Sequence, residues 1–304
     1  MKVLKNKFSW SVSRDRCFLE CARKYYFNYY GHWGGWERGA AERTRNIYIL
    51  KQLKNMSIWV GEVVHDCIAR SLQNVSRGIP TLPLAEILAI TRDRMRQDFR
   101  SSRAKKYWQN PKANCGFFEH EYELDVPDED WKNSAEQVDQ CLTTFYQSPH
   151  FREFKDLQPS AFLEIEQFSS FPLHGIDINI KLDCAYRKND RIVIWDWKTG
   201  KSVLSGGSLQ MACYTYYAMN TFTVSAPQVT AILYDLYQDT IHEQIITQRS
   251  LAELVTYIEG SIKDMMALLT DPQQNTASEN AFAKAESRPV CLRCNFLKVC
   301  QPDI

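Results

Sequence analysis

A chain of 304 residues is long enough to bury a large core, as one elaborated domain or two closely packed ones. Its 44% hydrophobic and 24% charged residues describe a soluble globular protein, and no apolar run approaches the length of a bilayer span. A formal net charge of +1 excludes nucleic-acid binding through bulk charge, so any such surface has to arise from local clustering.

The opening Met1-Lys2-Val3-Leu4-Lys5-Asn6-Lys7 lacks the apolar core of a signal peptide, which leads to the expectation of a cytoplasmic protein. Ser11 or Ser13 can cap a helix running through Phe18 and Leu19. Cys21 then leads into an aromatic cluster, Tyr25, Tyr26, Phe27, Tyr29 and Tyr30, whose simplest role is core packing. Residues 31–39, with Trp33 and Trp36 among glycines, read as a loop. The pattern predicts a helix over 47–53 and another over 57–72, where Gly61, His65, Ile68 and Leu72 share a face. Taken alone, His65 is an ordinary helix histidine. Residues 85–156 look helical and carry no catalytic signature. Their cations, Arg92, Arg94, Arg96, Arg100, Arg103, Lys105 and Lys106, form either a solvated face or a phosphate-binding flank. A connecting loop is expected over 110–130, and Val138, Cys141, Leu142, Phe145 and Tyr146 mark an amphipathic helix.

The chemistry concentrates further on. Residues 162–166 predict a strand with Glu164 and Glu166 facing one way. An alternating strand follows over 178–183, then a turn at Lys188-Asn189-Asp190, then the apolar strand 192–195. That last strand ends in Asp196-Trp197-Lys198-Thr199-Gly200-Lys201. Side chains two apart on a strand project together, so Asp196 and Lys198 share a face, and the hairpin carries Asp183 close to them. Two carboxylates beside an ammonium can hold a divalent metal and activate water at a phosphodiester. Glu164 and Glu166 can join through water or serve structurally, and they stay outside this group. Gly206 and Gly207 introduce a helix on which Gln210, Tyr214 and Tyr217 share one side. A hairpin over 229–247, an amphipathic helix over 251–269 and a polar loop over 271–287 complete this part.

Ten cysteines in a cytoplasmic chain argue against a disulfide framework and for buried thiols and metal ligands. Cys291, Cys294 and Cys300 fall within ten residues, as a single Cys-x-x-Cys pair and one more thiol. Structural zinc usually shows two such pairs, whereas thiolates also suit a [4Fe–4S] cluster, which would need a fourth ligand from elsewhere.

These segments resemble the PD-(D/E)xK nuclease superfamily, and within it the RecB-like, Cas4-like and AddB-like iron–sulfur nucleases. The match lies in Asp183…Asp196-x-Lys198, in Gly61-x-x-x-His65, in Gln210-x-x-x-Tyr214, and in the serines before Cys21 together with the cysteine-rich tail. Two positions depart from the pattern: Ala22 stands where Pro is common, and Ile180 where Gly is frequent. The resemblance implies an α/β fold, with a restriction-endonuclease-like mixed central sheet flanked by helices. It would form a single domain over 1–304, with a helical insertion at 85–156, a nuclease core at 160–270 and a clamp from Cys21 and residues 288–304. It implies that His65, Asp183, Asp196 and the Trp197 carbonyl hold Mg²⁺ or Mn²⁺, and that Lys198 orients the attacking water. Gln210 and Tyr214 would approach DNA. Cys21, Cys291, Cys294 and Cys300 would bind a [4Fe–4S] cluster, with Cys17, one turn earlier, as the rival to Cys21. The implied activity is that of an exonuclease on DNA, acting on single strands or free ends. No nucleotide-binding Gly-rich loop with Lys-Ser/Thr is present, so a helicase would be a separate partner. Two readings from other classes stand beside this one: a catalytically silent DNA-binding or assembly subunit, and a redox-responsive regulator sensing through its cysteines.

Overall fold

The computed structural model describes residues 5–200 and 207–301. Lys201 and Gly206 of the expected motifs, and residues 302–304 of the expected clamp, lie outside them.

Strand β1 (Ser9–Trp10) leads into α1 (Val12–Glu20), which Ser11 caps by accepting the Arg14 N–H. Cys21 caps α2 (Ala22–Tyr26) in the same way through its sulfur, and a π turn follows at Phe27–Gly31. Then come α3 (Glu42–Leu50) and α4 (Met56–Val75), the latter capped by Asn55. Helices α5 (Leu84–Arg103), α6 (Phe118–Glu121), α7 (Asp128–Gln147) and α8 (Pro149–Asp156) precede the main sheet strands. These are β2 (Phe162–Leu173), β3 (Ile176–Lys188) and β4 (Arg191–Lys198). Helix α9 (Gly207–Phe222), β5 (Val229–Asp235), β6 (Thr240–Gln244) and α10 (Gln248–Met266) follow, with α11 (Arg288–Leu292) and α12 (Leu297–Cys300) at the far end.

The sheet is mixed. Its main path runs β1-β3-β4-β5-β6, and β2 lies antiparallel along β3. The β3–β4 hairpin turns at Asn189, which adopts φ 54°, a left-handed conformation that Asn tolerates better than most residues. Strands β4 and β5 run parallel, which requires a crossover, and α9 supplies it. Flanked by β3 and β5, β4 is buried on both faces, hence its unbroken Ile192-Val193-Ile194-Trp195 run. On one face, Met211, Tyr217, Leu254 and Ile258 of α9 and α10 pack on Ile178, Ile194 and Leu233. On the other, Val63, Val64, Phe145 and Phe154 of α4, α7 and α8 pack on Cys184, Trp195 and Trp197. A smaller cluster of Phe27, Ile47, Leu50, Tyr107 and Phe296 ties the N-terminal helices to the C-terminal segment.

The element types agree with expectation, with three differences. The two-residue β1 is too short to leave a periodic signal. The helix expected over 47–53 runs instead over Glu42–Leu50, and the 110–130 loop contains the short α6. Tyr25, Phe27 and Tyr30 are buried in packed clusters, as core residues. No helix among the described residues is long and apolar enough to cross a membrane.

Candidate active site

Strands β3 and β4 part at one end. Their paired register stops at Cys184–Trp195, whereas β4 stays paired with β5 through Lys198. A splayed strand leaves buried backbone groups that must find other partners. Asp183 provides one: its Oδ2 accepts the Trp197 N–H at 2.7 Å. Tyr214 provides another, donating its hydroxyl to the Lys181 carbonyl at 2.7 Å.

Helix α4 carries His65 into this fork. Nδ1 lies 3.1 Å from both Asp183 Oδ1 and Glu166 Oε1, and Nε2 lies 3.1 Å from the Trp197 carbonyl. An imidazole donates from both nitrogens only when protonated. Burial opposes that charge, but Asp183 and then Glu166 outweigh it and hold the ring well above its ordinary pKa. Burial likewise works to raise Glu166, while hydrogen bonds from His65 and Lys181 keep it below the usual carboxylate range.

Asp196 and Lys198 project together, as their spacing requires. Lys198 Nζ lies 2.5 Å from Asp196 Oδ2. Gln210 bridges the pair: its Nε2 donates to Asp196 Oδ1 at 2.9 Å and its Oε1 accepts from Lys198 at 3.1 Å. Gln210 also donates to the Tyr214 hydroxyl at 2.6 Å. Burial, and next the charge of Asp183, push the Asp196 carboxyl up to about 6 against the pull of Lys198.

A family model for the PD-(D/E)XK nuclease superfamily matches residues 9–301. The chain belongs to that superfamily. No curated protein matches it. Among solved structures, one described as "Crystal structure of SSO0001" is similar at 16% identity and a TM-score of 0.29, covering 62% of this chain and 80% of that one. So distant a likeness adds nothing to the family assignment.

PD-(D/E)XK nucleases are generally hydrolytic and use divalent metal ions, so the fit of these residues to such an ion matters. His65, Glu166 and Asp183 present ligand atoms all within 4.8 Å of one another. Asp196 falls outside that set and is tied to Lys198 and Gln210. Among the described residues its buried Oδ2 meets only the Lys198 ammonium, at 2.5 Å. Clustered carboxylates, an imidazole and a backbone carbonyl, with the Asp196 carboxylate neutralised only by a side chain at the edge of the group, are a donor set for a hard cation such as Mg²⁺ or Mn²⁺. The residues fit the ion.

The largest correction concerns Glu164 and Glu166, which do not face one way. Glu164 is buried against α9, accepting hydrogen bonds from the Tyr217 hydroxyl and Ser169. Glu166 faces His65 and forms an ion pair with Lys181. Glu166 adopts φ 50°, which breaks the strict alternation of β2 at this residue. Glu166 is therefore part of the fork, in direct contact with His65 where the sequence suggested at most a link through water shared with Glu164. Its only signal is the two-residue spacing from Glu164, and that spacing points the wrong way.

Cys21, Cys291, Cys294 and Cys300 line a single small cavity between α2 and the C-terminal segment. Burial pushes the Cys294 thiol up to about 12 and also raises Cys300. Among the described residues no three cysteine sulfurs lie within 4.8 Å of one another, wider than the roughly 3.8 Å between thiolates on one tetrahedral zinc with 2.3 Å bonds. Cys17 is not among the lining residues. Its sulfur accepts from Asn28 at 3.4 Å and packs against the α9–α10 side of the core. Arg23 of α2 and Arg43 of α3 tie the N-terminal helices to the C-terminal segment, since both reach Glu279 at 2.9 Å and Arg43 also reaches the Val299 carbonyl.

The cationic stretch of α5 and the residues just after it is mostly engaged by acids. Arg92 faces Asp139, Arg94 faces Asp66, Arg96 faces Asp93 and Lys105 faces Glu123. That pattern fits the solvated face better than the phosphate-binding flank.

Proposed function

We propose that this PD-(D/E)XK chain is a Mg²⁺- or Mn²⁺-dependent deoxyribonuclease of the Cas4/RecB-like type, acting on single strands or free DNA ends in DNA processing, repair or defence. It would work as a single cytoplasmic nuclease domain with a helical insertion, alongside a separate helicase or other DNA-processing subunit. One observation carries this reading: the fork between β3 and β4 brings His65, Asp183, Asp196, the Trp197 carbonyl and Lys198 together from segments far apart in sequence.

In this reading His65, Asp183, Asp196 and the Trp197 carbonyl hold the ion, with Glu166 added to the set expected from sequence. When bound, the ion supplies Lewis acidity at the phosphodiester and makes a water nucleophilic near neutral pH. His65 gives up its extra proton to become a ligand, since metal ligation requires neutral imidazole. Asp183 keeps the Trp197 peptide oriented through its 2.7 Å hydrogen bond, so the adjacent carbonyl stays aimed into the fork. Lys198 lies at the entrance, where its ammonium orients the water and stabilises charge developing on the phosphate. Gln210 fixes Lys198 and Asp196 relative to each other, and with Tyr214 it positions the strand.

The cavity lined by Cys21, Cys291, Cys294 and Cys300 supports a [4Fe–4S] clamp in the same reading. Four thiolates there would join α2 to the tail, with a structural role. The intact Asp183, Asp196 and Lys198 speak against a catalytically silent subunit.

The test is cleavage of labelled single- and double-stranded DNA by anaerobically purified protein, with and without Mn²⁺. Cleavage that needs the ion and favours unpaired strands or ends is the expected result. No cleavage of either substrate by iron-replete protein with Mn²⁺ would overturn the proposal.

A further inference from the structure

A groove of about 550 Å³ opens beside the active site, between the start of α1, strands β2 and β3, and α9. Gln210 and Tyr214 line it, the same side chains that reach Asp196 and the Lys181 carbonyl. None of the described residues lining it is acidic, whereas Arg14, Arg16 and Lys181 are basic. In a chain with 37 Lys and Arg against 36 Asp and Glu, an acid-free groove is the local clustering that phosphodiester binding requires. Its grip on phosphate is modest, because Arg14 is buried with a donor taken by Ser9, and Lys181 is neutralised by Glu166. A nucleic-acid strand held here therefore needs a second source of affinity.

Phe168 is placed to supply it. It lines the same groove and is 69% exposed, the most exposed aromatic ring among the described residues. It stands on β2 directly across from Lys181 on β3. Two residues back along β2, about 7 Å away, comes Glu166 of the fork. An exposed ring so close to the metal-binding carboxylates lies within reach of the nucleotide next to the scissile phosphate. Aromatic rings stack on any unpaired base regardless of sequence. In a duplex the faces of internal bases are covered by their neighbours.

We propose that Phe168 stacks on an unpaired base beside the scissile phosphate and makes this groove selective for single-stranded over paired DNA. The proposal rests on the nuclease reading, and its test is separable from it. Fluorescence polarisation in EDTA reads binding without cleavage, with a short labelled single strand and a blunt duplex of the same sequence as probes. Phe168→Ala should weaken single-strand binding about tenfold, in line with the loss of one stacked base, and leave the duplex affinity unchanged. Phe168→Trp should restore single-strand affinity. An unchanged single-strand Kd, or an equal loss on both probes, overturns the proposal. So does a change in molar mass by light scattering, which would make the ring a contact between copies of the chain. A protein that discriminates through Phe168 but never cuts DNA refutes the nuclease reading and leaves this one standing. A protein that cuts with Mn²⁺ while Phe168→Ala binds normally does the reverse.

Discussion

At the fork between β3 and β4, buried charges already hold one another in place: His65 lies between two carboxylates, and Asp196 between Lys198 and Gln210. At the other ligand-rich region, four thiols line a cavity and make few hydrogen bonds, all of them weak. Burial there favours the protonated, uncharged form, as Cys294 and Cys300 show. The contrast follows from donor chemistry. Carboxylates and imidazole bear or accept charge at neutral pH, so they can order one another before an ion arrives. Thiols become strong ligands only on losing a proton, and a bound metal drives that loss. The first region therefore reads as preorganised for turnover, and the second as one whose ligand would complete the fold.

The sharpest way to break this comparison is at Asp196 and Lys198. Asp196→Asn keeps the shape of the side chain but removes its charge, and Lys198→Ala removes the cation at the entrance. Each should lower cleavage on the order of a hundredfold or more, because metal binding and charge stabilisation in the transition state contribute several kcal/mol. Iron content should stay near wild type in both, and thermal unfolding in Asp196→Asn, whereas Lys198→Ala leaves the buried Asp196 unpaired and should unfold at somewhat lower temperature. Wild-type rates with Mn²⁺ at saturating DNA would remove both residues from the mechanism.

The thiol region should respond in the opposite sense, through content and stability. Replacing Cys21, Cys291, Cys294 or Cys300 by Ser should each abolish the brown colour and stoichiometric iron and sulfide, since a hard hydroxyl is a poor substitute for thiolate. Unfolding should shift to lower temperature, as α2 and the tail lose their shared anchor. Cys17→Ser should keep the colour, because Cys17 lies outside the cavity lining. Iron loss in Cys17→Ser with retention in Cys21→Ser would reassign the N-terminal ligand. Zinc instead of iron in anaerobically purified protein would change the metal.

Much of this arrangement is legible in the amino-acid sequence itself. Ile192 to Trp195 announces a strand buried on both faces, and period two then fixes Asp196 and Lys198 to one side. The turn at Asn189 brings Asp183 back beside that strand end. Cys291, Cys294 and Cys300 stand out by their spacing, whereas His65 and Cys21 stand out only through family resemblance, because a helix periodicity shows which face a residue shares but not what that face meets. Glu166 is hidden for a different reason. Its position depends on a left-handed backbone conformation at a non-glycine residue, which no composition or spacing rule signals. Lys181 is hidden with it, since its partner is that glutamate.

The smallest expected effect separates His65 from Glu166 within the fork. His65→Ala removes a nitrogen donor and leaves Asp183 and Glu166 facing each other without the cation between them. Glu166→Gln removes one negative charge but keeps a side chain beside the ring. If both residues serve the ion, activity titrated against Mn²⁺ should shift to higher concentration in each. The shift should be larger for His65→Ala and about tenfold for Glu166→Gln, the scale seen when a supporting partner of a metal ligand is lost. At saturating Mn²⁺ both should recover most of the wild-type rate, in contrast to Asp196→Asn and Lys198→Ala. A Glu166→Gln titration that overlays wild type would make this carboxylate a structural partner of Lys181. An unchanged His65→Ala titration would return that histidine to an ordinary helix position and leave Asp183, Asp196 and Glu166 to hold the ion.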